Sequence, residues 1–103
     1  MSAVDYEFDW DDTKASGNLA KHGVDFRDAM TVLADPLSMT LFDTEHSQDE
    51  ERWVSVGRTD VGGLLLVVHT YANTGANSAL VRIISARPAT RQERRQYEQG
   101  NFQ

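Results

Sequence analysis

The sequence has no cysteine, only two prolines and no long apolar run. Because cysteine is absent, neither a disulfide framework nor a thiolate metal site can form, and a reducing compartment is expected. The longest apolar run, residues 64–68, is far shorter than the roughly 20 residues that a membrane-spanning helix needs. Residues 1–10 carry acidic side chains instead of the basic start of an export signal. We therefore expect a cytoplasmic protein without a membrane span.

The strong sequence signatures of several enzyme classes are also missing. There is no phosphate-cradling glycine loop, no G-x-S-x-G elbow and no H-E-x-x-H helix. The composition itself is ordinary, with 40% hydrophobic and 25% charged residues in 103. A chain of this length has room for one hydrophobic core, so we expect a single domain over residues 1–103.

Charge is distributed unevenly along the chain. Residues 1–51 contain 3 basic and 13 acidic side chains, whereas residues 52–103 contain 7 arginines and 3 acidic side chains. The basic half is suited to phosphate groups, and the acidic half to solvent or another protein. Alternatively, folding mixes the two halves and leaves no basic patch. The charges alone do not decide between these interpretations.

The hydrophobic pattern predicts an α+β fold that begins with a strand and two helices. Alternation of apolar and acidic residues indicates the strand, and spacings of three and four residues indicate the helices. The predicted elements are a strand over residues 4–10, a helix from Asp11 or Asp12 to about His22 with Gly23 as its stop, and a helix over residues 26–33 ended by Asp35-Pro36.

The rest of the chain is predicted to form a four-stranded, mainly antiparallel sheet and a C-terminal helix. The predicted strands cover residues 38–43, 52–59, 63–71 and 79–87. Residues 60–63 are typical of a hairpin turn, and residues 73–77 are predicted to be a longer flexible connection. Thr90 and Glu93 form a capping box that opens the last helix, which Gly100 ends.

The acidic segment of residues 43–51 carries no recurrent metal-ligand spacing. Glu45, His46 and Asp49 are possible ligands, but charged loops are usually only solvated. We interpret the segment as a loop and predict no metal site.

A polar stripe follows the first predicted helix. Lys14, Asn18, Lys21 and His22 fall within an arc of about 100° at 100° per residue. Such a stripe can hold a phosphate with its lysines and use His22 as a proton carrier. The commoner alternative is an ordinary helix surface whose lysine stems lie along apolar ground.

Further basic residues lie in the second half of the chain. Arg58, Arg82 and Arg87 sit in or at the end of apolar strands, where each needs a carboxylate or a ligand phosphate as its partner. His69 closes an apolar strand, where a hydrogen-bonded structural histidine is the commoner case. Arg91 and Arg94 share an arc of the last helix, which is more often a solvated face.

These residues suit metal-free cleavage of RNA. The 2′-hydroxyl of RNA is then the nucleophile, so the protein supplies only a base, cations for the phosphate and an acid for the leaving oxygen. A non-catalytic interaction module would carry similar arginines.

Local strings make the interpretation more specific. The strings are F-D-W-D-D-T-K (residues 8–14), N-L-A-K-H-G-V-D-F (18–26), A-D-P (34–36), E-R-W-V-S-V-G-R (51–58), V-V-H-T (67–70) and R-I-I-S-A-R-P-A-T-R-Q-E-R-R-Q-Y-E (82–98). Together they resemble the BrnT family of toxins over about residues 6–100.

The resemblance implies a RelE-like α+β fold, a ribonuclease that inhibits translation, and no cofactor. It also implies a BrnA-type antitoxin whose ribbon-helix-helix part binds the promoter DNA. The alternative is a degenerate toxin that acts as an interaction and co-repressor module.

The recurrent polar positions of the family carry our site predictions. The expected catalytic residues are Arg58, Arg82 and Arg87 for the phosphate, with His22 and Glu51 as base or acid. The expected substrate-binding residues are Lys14, Lys21, His69, Arg91 and Arg94. We also expect Arg58, Arg82 and Arg87 to converge with Lys21 or His22 on one concavity.

Overall fold

The computed structural model describes residues 4–103 and shows an α+β fold in which three helices pack on a six-stranded sheet. The elements are β1 (Asp5–Asp9), α1 (Asp12–His22), α2 (Phe26–Thr31), a 3-10 turn (Val32–Ala34), β2 (Met39–Phe42), β3 (Trp53–Arg58), β4 (Leu64–His69), β5 (Ala72–Gly75), β6 (Ser78–Pro88) and α3 (Arg91–Gln99). Over this described range, no helix is long and apolar enough to cross a membrane.

The sheet differs from the prediction in its number of strands. Residues 73–77 were expected to be a flexible connection, but β5 occupies Ala72–Gly75 and pairs with the start of β6. All four residues of β5 are exposed and none is large and apolar, so the sequence carries no alternation that marks a strand. The predicted first strand is also part of the sheet, where β1 pairs in parallel with β6.

β6 organises the sheet, whose strand order is β1-β6-β4-β3-β2, with β5 also paired to β6. The first half of β6 pairs with β1 and β5, and its second half pairs antiparallel with β4. The strands β2, β3 and β4 form an antiparallel meander. The two outer strands of the main path are therefore β1 and β2.

The helices α1 and α2 cover one face of the sheet. Asp11 caps α1 by accepting a hydrogen bond from the backbone of Lys14, and Gly23 ends it at φ 69°. The buried core of this side contains Phe26 of α2 and its neighbours. The other core residues are Val24, Ala29, Val32, Leu65, Val67, Ile83 and Ala86. We call this side the α1–α2 face.

The opposite face is covered at one end by α3, and we call it the α3 face. Val56, Leu64 and Tyr97 form its small core. The predicted capping box is present at the start of α3, where Thr90 and Glu93 exchange hydrogen bonds. Further along the sheet this face is less covered, because Leu41 is 37% exposed.

Candidate functional site

A register irregularity in β6 sets which residues share the α3 face. The pairing between β4 and β6 shifts at Val68/His69, so Ile83 and Ala86 both point into the core under α1 and α2. Arg82 comes directly before Ile83, and Arg87 comes directly after Ala86. Because side chains alternate along a strand, both arginines point to the face opposite these core residues. Without the shift, two residues five positions apart would face opposite ways. The irregularity therefore brings both arginines to the α3 face.

α1 lies beside the second half of β6, where β1 has ended. The buried side chain of Asn18 donates from Nδ2 to the carbonyls of Ala86 (2.8 Å) and Val24 (3.0 Å). Its Oδ1 accepts a hydrogen bond from the backbone N–H of Ala86 at 3.1 Å. Asn18 thus occupies the place of a neighbouring strand and fixes α1 against β6.

The contact at Asn18 determines where the rest of the polar stripe points. At 100° per residue, Lys14 and Lys21 lie about 40° and 60° beyond Asn18, on the side away from the core residue Ala15. His22 is half-buried and falls between Asn18 and Ala15. The two lysines therefore border the exposed side of β6, whereas His22 is turned towards the core.

Arg82 lies beside the N-terminal turn of α1. It shares a small cavity of ≈ 70 Å³ with Lys14 and Glu50. Its Nε is 3.8 Å from a carboxylate oxygen of Asp9, and both side chains are more than half exposed. An exposed pair at this distance contributes little to stability. Within residues 4–103 the guanidinium of Arg82 makes no hydrogen bond, because the contact with Asp9 is too long for one. Its donors are therefore available to a ligand.

Arg87 is committed to a partner within the chain. Its Nη1 and Nη2 donate to the two carboxylate oxygens of Glu93 at 2.7 and 2.8 Å. The hydrogen bond from Arg87 holds the pKa of Glu93 below its usual value, although burial opposes the shift. Because Glu93 also belongs to the capping box of α3, Arg87 anchors this helix to β6. The partner of Arg87 is thus a carboxylate of the chain, so the predicted role of Arg87 in holding the substrate phosphate does not fit this position.

Arg58 points to the α3 face from the end of β3. Its guanidinium lies 5.6 Å from the ring centre of Tyr97, and Nη1 donates to the carbonyl of Gly62 at 2.9 Å. Asp35 accepts hydrogen bonds from the hydroxyl of Tyr97 (2.6 Å) and from the backbone of Arg58 (2.8 Å). Burial raises the pKa of Asp35, but these hydrogen bonds outweigh it and the net pKa is lowered. Arg58 is exposed, so a ligand can also reach its guanidinium.

His69 lies on the α1–α2 face and is 1% exposed. Its Nδ1 is 2.9 Å from the carbonyl of Thr70, which can only accept, so Nδ1 carries the proton. Nε2 then accepts from the hydroxyl of Ser55 at 2.8 Å, and this hydroxyl also contacts Thr40 at 2.6 Å. Burial lowers the pKa of His69. The predicted substrate-binding role does not fit this position, because the ring is enclosed and both nitrogens are bonded.

The remaining predicted residues are exposed. Glu51 precedes β3, and Arg91 and Arg94 lie on the outer part of α3. None of the three has a side-chain hydrogen bond to another residue of the described range. Their predicted roles stay predictions.

The three arginines share a face. They do not meet in one concavity, although the sequence analysis expected them to. Five residues of strand separate Arg82 from Arg87, roughly 16 Å at 3.3 Å per residue. The structure therefore presents a cationic strip where α1 borders β6, which we define as Lys14, Lys21 and Arg82. Arg58 lies two strands away from it on the α3 face. His22 and His69 lie outside the strip.

The comparisons with known proteins agree with this arrangement of helices and strands. A family model described as "Ribonuclease toxin, BrnT, of type II toxin-antitoxin system" matches residues 10–93. The chain belongs to this family. The match covers Lys14, Lys21, Arg58 and Arg82, and it ends one residue before Arg94.

A solved structure shows the same fold. The crystal structure of the Brucella abortus ribonuclease toxin BrnT has a TM-score of 0.52 and 23% sequence identity to this chain. The match covers 85% of this chain and 100% of the Brucella chain. Comparison with the curated proteins finds no match.

Several side chains of this BrnT-family chain were missed by the sequence analysis. The cluster of Asp35, Tyr97 and Arg58 was not anticipated, because the first two residues are 62 positions apart. Arg52 was counted only as a charge, yet its Nε is buried and has no hydrogen-bond partner among residues 4–103. The A-D-P string was the only signal that marked Asp35. In the described part of the chain, no group of three or more histidine or acidic side chains is arranged to hold a metal ion.

Proposed function

We propose that this chain is the toxin of a type II system and cleaves RNA as a metal-independent endoribonuclease, which inhibits translation. The observation that carries the proposal is the cationic strip along the exposed side of β6 in a BrnT-family chain whose net charge is −6. Local positive charge is necessary on such a protein, because RNA binding depends on phosphate neutralisation.

In this proposal the strip binds the phosphates of a single RNA strand. Arg82 supplies the planar fork that holds two phosphate oxygens, and Lys14 adds a point charge beside it. Lys21, two turns along α1 from Lys14, and Arg58, two strands away from β6, bind neighbouring phosphates. Arg87 acts as a positioning residue through its ion pair with Glu93.

Cleavage then follows the 2′-hydroxyl route. A base removes the proton of the 2′-hydroxyl, its oxygen bonds to phosphorus, and the bond to the 5′-oxygen breaks as that oxygen takes a proton from an acid. The products are a 2′,3′-cyclic phosphate and a 5′-hydroxyl. We assign the base to an exposed carboxylate beside Arg82, either Glu50, which lines the same cavity, or the predicted Glu51.

We further propose that a BrnA-type antitoxin with a ribbon-helix-helix part neutralises the chain and binds promoter DNA. The fold is then RelE-like, and the site of action is the cytoplasm, where translated RNA is found. Family membership supports the antitoxin, because type II systems pair a toxin with a protein partner. The ion pair of Arg87 favours a second candidate, a non-cleaving interaction and co-repressor module.

The test is cleavage of a single-stranded RNA by the purified chain in excess EDTA, with analysis of the product ends. We expect cleavage that EDTA does not suppress, cyclic phosphate ends, and growth arrest on induction in cells. Cleavage that is lost in EDTA and restored by a metal would contradict the mechanism. No cleavage and no growth arrest by a folded chain would leave only the interaction module.

A further inference from the structure

The free edge of β2 differs from the edge at the other side of the sheet. Exposed positions on β1 are occupied by Asp5, Glu7 and Asp9, and charged side chains protect an edge strand from pairing. β2 has the sequence Met-Thr-Leu-Phe without a charge, and in the described range it pairs with β3 alone. Phe42 is 40% exposed. The β2 edge is therefore open to a further strand.

The backbone of β2 offers hydrogen-bonding groups at this edge. The N–H of Asp43 donates to the carbonyl of Arg52, which makes this a hydrogen-bonded pair of the antiparallel ladder. Such pairs alternate with non-bonded pairs. The N–H and C=O groups of Thr40 and Phe42 therefore point away from β3, towards the free edge.

A pocket lies beside this edge on the α1–α2 face. It has a volume of ≈ 370 Å³, and aromatic residues form much of its wall. The lining residues are Tyr6, Leu33, Ser38, Thr40, Trp53, His69 and Tyr71. Phe42 packs edge-on against Trp53 with ring centres 5.0 Å apart, which extends the aromatic surface to the edge. This pocket can take one apolar side chain of an added strand.

The segment that follows β2 is strongly acidic. Residues 43–51 contain five carboxylates and no lysine or arginine. Glu45, Asp49 and Glu50 are exposed. A chain that pairs with β2 would pass this segment, so complementary charge requires a basic partner. An anionic RNA strand does not fit along the β2 edge beside Glu45 and Asp49.

We infer that the β2 edge, its aromatic pocket and the acidic segment 43–51 dock an extended, basic segment of the cognate antitoxin as an additional strand. Main-chain hydrogen bonds to Thr40 and Phe42 give affinity in this mode, and the pocket gives specificity. The inference rests on the proposed toxin function, because it names the partner surface of that function. The surface adjoins the cationic strip, because Glu50 of segment 43–51 lines the cavity that Lys14 and Arg82 share, so a docked antitoxin covers the proposed catalytic carboxylate.

The principal test measures the Kd of the antitoxin from the same operon for full-length variants by calorimetry. Phe42→Lys should weaken binding by at least about 30-fold, as expected for an aromatic residue that anchors an interface. Val61→Lys is the matched control, because Val61 is 81% exposed on the turn between β3 and β4. It should leave the Kd unchanged. Equal Kd values for both variants and the wild type would overturn the inference.

The charge requirement has its own pair of variants. The double variant Glu45→Lys/Asp49→Lys should weaken antitoxin binding roughly tenfold and lessen its salt dependence. The double variant Asp5→Lys/Glu7→Lys, which makes the same charge change on β1, should not. A larger loss from the β1 variant would place the partner at the other edge and contradict the inference.

Hydrogen exchange of the wild-type complex tests the edge without any substitution. The amides of Thr40 and Phe42 should be protected at least about 100-fold more in the complex than in the free chain, whereas β1 should not change. Unchanged exchange at both amides would overturn the inference. The inference would also be overturned if the free chain formed a homodimer that Phe42→Lys dissociates, or if Phe42→Lys weakened RNA binding.

The result is distinguishable from that of the proposed function. A chain that binds the antitoxin through β2 but cleaves no RNA refutes the ribonuclease and leaves the docking surface intact. If the Phe42→Lys variant cleaves RNA and the antitoxin still neutralises it, only the docking surface is refuted.

Discussion

Replacing Asn18 with alanine should detach α1 from β6. The substitution removes three buried hydrogen bonds, of which two involve the backbone of Ala86 and one the carbonyl of Val24. Each such bond contributes about 1 kcal/mol, and a buried group left unpaired costs about 1–3 kcal/mol. Ala86 is 1% exposed, so water does not easily replace the amide. We expect the free energy of unfolding to fall by about 3 kcal/mol.

The assay is urea unfolding followed by circular dichroism, with Ser16→Ala as the control. Ser16 is exposed on the same helix, so its substitution should change the free energy of unfolding by no more than about 0.5 kcal/mol. In a chain of this size, the loss from Asn18→Ala corresponds to a fall in Tm of roughly 12–24 °C. A loss below about 1 kcal/mol would refute the role of Asn18 in fixing α1 and the lysines beside β6.

Three further outcomes are expected. Gly17→Ala should raise the free energy of unfolding by about 0.5–1 kcal/mol in the same assay, because Gly17 lies inside α1 with nothing within 4 Å of an added Cβ; a loss would contradict the helix geometry. Gly57→Ala should lower it by about 1–3 kcal/mol, since the Cβ would meet Val32 Cγ1 at 2.8 Å and Ser38 Cβ at 2.9 Å; a neutral effect would show that these elements separate easily. Burial lowers the pKa of His69, so the unfolded chain takes up a proton below about pH 6.5 that the folded chain does not. The free energy of unfolding should therefore fall as the pH is lowered from about 6.5 towards the pKa of His69 in the folded chain, by up to about 1.4 kcal/mol per pH unit. The His69→Gln variant should lose this pH dependence. An unchanged dependence in the variant would exclude His69 as its source.

The elements that the sequence predicted correctly are those with a local signal. As expected, α1 begins after Asp11, one of its two predicted caps, and ends at Gly23. Capping depends on one side chain and one backbone angle, so its signal is local. The capping box at Thr90 was equally local. β3 and β4 lie within one to two residues of their predicted ends, because alternating and continuous apolar residues mark them.

The features that the sequence did not reveal depend on pairing between distant segments. β5 is polar and exposed, and only its hydrogen bonds to β6 make it a strand. The register irregularity that brings Arg82 and Arg87 to one face leaves Ile84 of β6 without a partner in β4, and no residue pattern in β6 marks it. The partner of Arg87 could not be chosen from the chain's many carboxylates. The sequence therefore identifies the basic residues, but only the pairing of distant segments determines which of them lack a carboxylate partner.

The measurement that tests the central claim most directly is the single-turnover rate of RNA cleavage by Arg82→Ala. Arg82 has free donors beside Lys14 where α1 borders β6, and Arg95→Ala, which removes an exposed arginine of α3, is the control. We expect Arg82→Ala to lower the rate by about 10²- to 10³-fold without changing the urea midpoint, while Arg95→Ala cleaves within about twofold of the wild type. A folded Arg82→Ala chain that cleaves RNA at the wild-type rate would contradict the account.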